Sequence, residues 1–202
     1  MNQDPNISHL LPIPNWDWDT FAFWEGALSV EQCNEVISYA IGDPEPAQCN
    51  YGFNPHLRSA NVWWLKTTDE KYSWLYDRLL HLAAILNERH FHFNIQGACE
   101  AIQLTRFNEG DHFSARHMDR MPGDYNGSNL PRKFTLAIPL SERSEFGGGD
   151  FEFDVGGNEM IVPAQERGTL LTFPSFVLHR VTPVTSGVRW SLVLWLGGPS
   201  FK

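Results

Sequence analysis

The residues best equipped for chemistry are His117 and Asp119, then His179, then Arg189 with Ser191. In extended backbone, positions two apart share a face, so His117-x-Asp119 presents an imidazole and a carboxylate to one side. His179 brings a second imidazole from a distant segment. Two imidazoles and one carboxylate on one face of a divalent metal leave positions open for exogenous ligands, a donor set suited to Fe(II). The H-x-D pair alone is weak evidence, since ordinary acid content puts an acid two residues after a random His about one time in ten. Arg189 adds a permanent planar cation that can grip a carboxylate through two parallel hydrogen bonds. Ser191, two residues on, shares its face. The alternative for Arg189 is a strand arginine paired with a surface acid, and for Ser191 simple small-residue packing.

Residues 169–196 read as two strands joined by the breaker-rich turn 182–187. Positions 179 and 189 are symmetric about 184. A symmetric hairpin would set His179 opposite Arg189 on one antiparallel pair, both facing a common cavity.

The elements that must position these groups are mostly strands. Phe91, Phe93 and Ile95 alternate. From 100 to 107 the alternation is clean, with Ile102, Leu104 and Arg106 on one face and Ala101, Gln103, Thr105 and Phe107 on the other. Further strands are predicted over 133–140, 150–155, 160–162, 168–173, 177–181 and 188–196, with Trp190, Leu192 and Leu194 turned away from Arg189. Upstream, 21–28 reads as a strand. Ser29-Val30-Glu31-Gln32 is a capping box opening a helix to about residue 41. Residues 61–66 read as a strand, and Thr67 or Thr68 caps a helix over 69–89 whose Tyr72, Leu75, Tyr76, Leu79, Leu82, Ala83 and Leu86 form one stripe. The expected fold is mainly β with flanking helices (α+β): a double-stranded β-helix, or jelly-roll, core with two helices packed on one sheet. One domain is expected over 1–202, comprising an N-terminal arm (1–20), a helical and strand support (21–90) and the jelly-roll core (91–202).

Composition narrows the function classes. The chain has 202 residues, 42% hydrophobic and 19% charged, which fits an ordinary globular domain. Of the net charge of −9, most sits in the first 57 residues, which carry eight acids and no Lys or Arg. Such a surface repels phosphate backbones, so no nucleic acid partner is expected. There is no basic leader followed by an apolar run and no apolar stretch long enough to span a bilayer, so no membrane association is expected. Cys33, Cys49 and Cys99 lack metal-type spacing, and reduced thiols in a cytoplasmic protein are the expectation.

With these residues in view, the chain resembles the Fe(II)/2-oxoglutarate-dependent dioxygenases, and within them the prolyl 4-hydroxylase-like branch that includes the PKHD-type hydroxylases. His117-x-Asp119, His179 and Arg189-x-Ser191 carry the likeness. Ala101-Ile102-Gln103, Phe107-x-x-Gly110, Arg132-Lys133-Phe134-Thr135, Phe146-x-Gly148-Gly149-Asp150-Phe151 and Phe173-Pro174-Ser175 support it. The resemblance implies that His117, Asp119 and His179 bind Fe(II). It implies that Arg189 and Ser191 hold the far carboxylate of 2-oxoglutarate, and that Gln103 and Thr135 line the cosubstrate pocket. One departure is Phe107, where the family often has a Tyr whose hydroxyl helps hold 2-oxoglutarate. Asp119 sets the chain apart from the related halogenases, which leave the carboxylate position empty.

The activity so implied is hydroxylation of an aliphatic C–H, prolyl in a peptide or protein being favoured, with O₂ consumed, succinate and CO₂ released, and ascorbate as an optional reductant. Rival readings are a hydroxylase of a free amino acid or other small metabolite, and a non-catalytic jelly-roll module that keeps the metal. Candidate substrate contacts are Arg58, Trp64 and Tyr125. Trp63 and Trp64 cannot both face the core of one strand, so one should face the site. Tyr125 lies in the glycine-containing loop after the metal motif. Oligomeric state is not readable from the sequence.

Overall fold

The computed structural model describes residues 19–48, 52–120, 130–156, 158–161 and 166–199. In chain order the elements are β1 (Ala22–Trp24), α1 (Val30–Ser38), β2 (Glu45–Pro46), β3 (Asn61–Leu65), α2 (Ser73–His90), β4 (Gly97–Ala98), β5 (Ile102–Phe107), β6 (Phe113–His117), β7 (Arg132–Pro139), β8 (Phe146–Gly148), β9 (Phe151–Val155), β10 (Asn158–Ile161), β11 (Leu170–Pro174), β12 (Leu178–Val181), β13 (Val184–Gly187) and β14 (Arg189–Gly197).

They form two principal sheets. The major sheet runs β1-β11-β7-β14-β5-β3-β2, with β4 also paired to β14; the minor sheet runs β10-β9-β12-β6. A short ribbon of β13 and β8 joins them at one end. All the pairings are antiparallel. This is the jelly roll expected from the strand-rich second half.

Alternation along the central strands divides their work. On β5 and β14 the residues Ile102, Leu104, Leu192 and Leu194 turn outward, are fully buried, and pack with Leu75, Leu79, Leu82 and Leu86 of α2. Burial of a leucine contributes roughly 1.5–3 kcal/mol, so the helix stripe is what makes this face of the sheet dry. The opposite face of the same strands carries Gln103, Thr105, Phe107, Arg189 and Ser191 toward the minor sheet. Between the sheets, Phe151, Phe153, Leu171, Phe173 and Val181 form a second apolar cluster.

The capping box is present as read: Gln32 N–H donates to Ser29 Oγ (3.2 Å) and Ser29 N–H to Gln32 Oε1 (2.9 Å). Three local expectations need correction. The second helix is opened by Asp69, whose carboxylate accepts from Lys71 N–H (3.2 Å), and by a 3₁₀ turn, Glu70–Tyr72, not by a threonine. Phe91, Phe93 and Ile95 do not make a strand. Asn87 clasps Phe93 at both N–H and C=O (2.9 and 2.8 Å), His92 takes a left-handed φ of 56°, and the aromatic rings plug the core, with Phe91 4.8 Å from Phe134.

The third correction concerns residues 169–196. β12 and β14 do not pair. β12 belongs to the minor sheet and β14 to the major one, with β13 between them held by β8. Pro183 has no N–H to continue a ladder, and its carbonyl instead accepts from Gly149 N–H (3.0 Å) as the chain changes sheets. His179 and Arg189 therefore reach one cavity from opposite walls.

Gly187 makes this crossing possible, with φ of 72° and the position a Cβ would take only 2.0 Å from the Glu145 carbonyl oxygen. Gly187→Ala is expected to destabilise the protein by about 1–3 kcal/mol, through combined strain and clash. Leu192→Ala, a truncation under α2, should cost about 2–5 kcal/mol. Both are read as shifts of the urea midpoint at unchanged slope.

Candidate metal and anion site

The space between the sheets is a cavity of about 770 Å³. His117 ends β6 and His179 lies in β12, directly opposite in register. Two residues of β12 span the same distance as four of β6 here, and this bulge folds Phe113 back onto His117, ring centroids 3.5 Å apart and stacked. His179 is packed by Phe151 (5.3 Å, stacked) and Phe173 (4.9 Å, edge-on). Each imidazole is also tied at Nδ1, His117 to the Ala115 carbonyl (3.0 Å) and His179 to the Val177 carbonyl (2.9 Å). A carbonyl only accepts, so Nδ1 carries the proton and the Nε2 lone pair points away, toward Asp119. The Asp119 oxygens lie 3.8 Å from His117 Nε2 and 3.7 Å from His179 Nε2. One ligand atom from each of the three falls within 4.8 Å of the others.

Electrostatics agree with a cation site. Burial pushes the His117 pKa down to about 3, with His179 adding to the shift, so this imidazole is neutral at physiological pH as a metal ligand must be. Burial opposes ionisation of Asp119, but the two imidazoles, Arg132 and the Thr135 hydroxyl outweigh it and hold the carboxyl below its ordinary range.

The anion wall is opposite. Arg189 is 6% exposed, and no carboxylate among the described residues lies within ion-pair distance of it. The nearby Asp150 is engaged by Arg143 (2.7 Å). Burial, helped by repulsion from Arg143, lowers the guanidinium pKa to about 10, so it remains charged. A buried unpaired guanidinium is costly and calls for an anionic partner. Phe107 is its cross-strand partner, and the guanidinium sits 5.3 Å from the ring centroid: the ring supplies a platform, not a donor. Ser191 is buried on the same face, opposite Thr105 in register.

The other sequence-selected residues also reach the cavity, in altered roles. Gln103 lines it, but its amide is engaged at both ends, by Arg58 Nη2 (3.2 Å) and by Thr105 Oγ1 (2.9 Å). Thr135 donates to Asp119 Oδ2 (2.8 Å), which places it beside the carboxylate donor. Arg58 lies over Phe113 (4.7 Å), behind the stacked His117. Trp63 is in the helix-side core while Trp64 faces the cavity, its indole N–H donating to Glu45 (3.1 Å). Tyr125 lies outside the described residues.

Four contributors escaped the sequence reading. Thr105 was visible on the Gln103 face. Ser175 and Arg132 stood in segments quoted for the resemblance, without a role. Arg132 is bound through two nitrogens by Glu100, lies 3.9 Å from the Trp195 ring, and donates to the Asp119 carbonyl (3.3 Å). Phe113 gave no signal, because its stacking on His117 depends on the bulge.

Comparison with known proteins now bears on this geometry. Residues 102–197 match the model of the 2OG-Fe(II) oxygenase superfamily, a span that contains the His–Asp–His group and Arg189. This segment belongs to the 2OG-Fe(II) oxygenase superfamily. Curated relatives of the oxygenase segment include a PKHD-type hydroxylase of Idiomarina loihiensis, 33% identical over 95 residues, which covers 47% of this chain and 41% of the relative. A PKHD-type hydroxylase of Shewanella oneidensis is 35% identical over 94 residues, covering 46% and 41%. The chain thus spans about two-fifths of the length of the curated relatives it matches. Among solved structures, a Pseudomonas putida prolyl-4-hydroxylase superposes with a TM-score of 0.67 at 18% identity, over 90% of this chain and 94% of that one. The viral collagen prolyl hydroxylase of Paramecium Bursaria Chlorella virus-1, solved as a 2OG complex, gives 0.66 at 19% identity, over 93% and 100%. These likenesses show that the oxygenase fold extends well upstream of residue 102. The described chain contains no helix long and apolar enough to cross a membrane.

Because His117 resists protonation in the fold, the unfolded chain takes up its proton first on acidification. Stability should therefore fall as pH drops from about 6.5 toward about 3, and be insensitive to this group above that window. Melting temperature of the metal-free protein measured across this range is expected to decline, and to decline less steeply in His117→Gln.

Proposed function

We propose that the protein is an Fe(II)- and 2-oxoglutarate-dependent dioxygenase that hydroxylates an aliphatic C–H, with prolyl in a peptide or protein as the favoured substrate. The observation that carries this reading is one cavity holding both a His–Asp–His donor group and a buried guanidinium with no acidic partner among the described residues. The residues fit the groups. Two imidazoles and a carboxylate suit Fe(II) and leave positions for exogenous ligands, and Arg189 suits the distal carboxylate of a dicarboxylate cosubstrate.

In this reading His117, Asp119 and His179 hold the metal, Arg189 and Ser191 bind and orient 2-oxoglutarate, and Phe107 supports the guanidinium from below. Bound iron would supply the redox chemistry that couples O₂ and 2-oxoglutarate decarboxylation to hydroxylation, releasing succinate and CO₂, with ascorbate as an external reductant. The chain's own contribution is to place the reactants on facing walls and keep water out. Phe113, Phe151 and Phe173 pack the imidazoles, and α2 seals the far side of the major sheet. Trp64 and Arg58 stand on the substrate side. Residues 1–202 act as one domain in this reading, supported by near-complete overlap with the Pseudomonas putida enzyme. A prolyl peptide is favoured by that likeness, and by the fold shared with a Trichoplax adhaerens prolyl hydroxylase solved with a peptide fragment of hypoxia inducible factor.

Succinate formation from 2-oxoglutarate, dependent on Fe(II) and O₂, tests the reaction class; its absence across peptide and metabolite pools, with metal still bound, would leave a binding module. Mass spectrometry of those pools for a gain of one oxygen separates a prolyl peptide from a free metabolite. Arg189→Ala should raise the 2-oxoglutarate concentration for half-saturation by about 10- to 100-fold, the value of one or two charge-assisted hydrogen bonds. Phe107→Tyr restores a donor beside Arg189 and should lower that concentration severalfold, by about 1 kcal/mol of added hydrogen bonding.

A further inference from the structure

Asp119 has a structural problem that His117 and His179 do not. Both histidines lie within strands, whereas β6 ends at His117, so Asp119 sits beyond the ladder. Its position must come from other contacts. Two act on the backbone: Arg132 Nη1–H donates to the Asp119 carbonyl (3.3 Å), and Arg120 N–H donates to the Ser175 carbonyl (2.8 Å). A third acts on the carboxylate. Thr135 Oγ1 lies 2.8 Å from Asp119 Oδ2, and Ser175 Oγ lies 2.9 Å from Thr135 Oγ1.

The direction of these bonds follows from valence. A carboxylate only accepts, so the single Thr135 hydroxyl proton points at Asp119. The Thr135 oxygen is then the acceptor of the second bond, and Ser175 is its donor. Each bond polarises the next in a buried setting, with Thr135 1% and Ser175 0% exposed. Among the described residues, Asp119 Oδ2 receives this hydrogen bond while Oδ1 receives none.

We propose that Ser175 and Thr135 form a two-hydroxyl relay that, by engaging Oδ2, orients the Asp119 carboxylate toward the metal. This rests on the reading of His117, Asp119 and His179 as metal ligands. It adds the positioning of a ligand to the expected role of Thr135, which also lines the cavity. It also gives a role to Ser175, which does not reach the cavity and so cannot touch metal, cosubstrate or substrate. Ser175 is well placed for it. Its N–H donates to the Lys133 carbonyl (2.9 Å) on the strand that carries Thr135, and its carbonyl holds residue 120, so one residue ties both partners of the key bond.

The test is Co(II) binding to the metal-free full chain, followed by the visible d–d absorption of the bound ion, with folding checked by melting temperature. Thr135→Val keeps the shape and removes the hydroxyl, Ser175→Ala removes the relay's first donor, and Thr135→Ser keeps the donor. Thr135→Val is expected to weaken Co(II) binding about 10- to 100-fold, the usual range for groups that orient a ligand, and Ser175→Ala by several-fold to about tenfold. Both should alter the d–d spectrum, while Thr135→Ser restores affinity and spectrum. In cobalt-loaded Ser175→Ala the dissociation constant for 2-oxoglutarate should be unchanged, because the residue does not reach that pocket. Wild-type affinity and spectrum in Thr135→Val and Ser175→Ala, with binding still abolished by His179→Ala, would overturn the relay and leave the metal site standing. Co(II) uptake indifferent to His179→Ala would overturn the site itself, and the relay with it. Should Ser175→Ala fail to fold, the contrast between Thr135→Val and Thr135→Ser decides.

Discussion

A guanidinium is buried between two β-sheets with no carboxylate among the described residues close enough to neutralise it. Burying an unpaired charge is among the most costly things a fold can do, and much of this structure is arranged around tolerating it. Arg189 sits at the start of the long central strand, held opposite Phe107 of β5 and two residues before the ladder to β7 begins at Ser191. The ring of Phe107 lies beneath it, and Asp150, whose charge partly offsets it, is engaged by Arg143. The resulting positive field faces the cavity, where an anion would offset it.

The facing wall answers with a different kind of preorganisation. His117 is neutral because it is dry, and both imidazoles are aimed because each Nδ1 is bonded to a backbone carbonyl two residues earlier. Phenylalanine rings stack against both. The two histidines and Arg189 thus belong to separate sheets, on facing walls of the cavity. Besides the apolar cluster between the sheets and the Arg132 bond to the Asp119 carbonyl, Thr135 links the two walls: it stands on the major sheet, yet donates to the carboxylate that follows β6, the edge strand of the minor sheet.

Legibility varied with the range of the interaction concerned. Alternation along 102–107 correctly divided Gln103, Thr105 and Phe107 from Ile102 and Leu104, because side-chain period in a strand is a local property. The stripe on α2 and the capping box at Ser29 were equally local and equally readable. The aromatic alternation at 91–95 misled, since the same spacing serves a core plug once Asn87 clasps the backbone. The hairpin reading of 169–196 placed His179 and Arg189 at one cavity, as the structure does, but by a different route. Symmetry about residue 184 could not reveal that β13 would pair with β8 and pass the chain to the other sheet.

By itself, the sequence determined the chemistry on offer: two imidazoles, a carboxylate two residues from one of them, and a cation with a hydroxyl on its own face. Those are properties of residue type and short spacing, which survive any arrangement of the strands. Tertiary structure alone decided how they are held. Thr135 became the partner of Asp119 as well as a pocket wall, Ser175 gained a task without entering the cavity, Arg132 came to brace the Asp119 backbone, and Phe113 was folded onto His117 by a bulge. Each of these joins residues far apart in the chain or depends on an irregularity in register, and contacts of that kind are set by which strands lie side by side, not by the periodicity within any one of them.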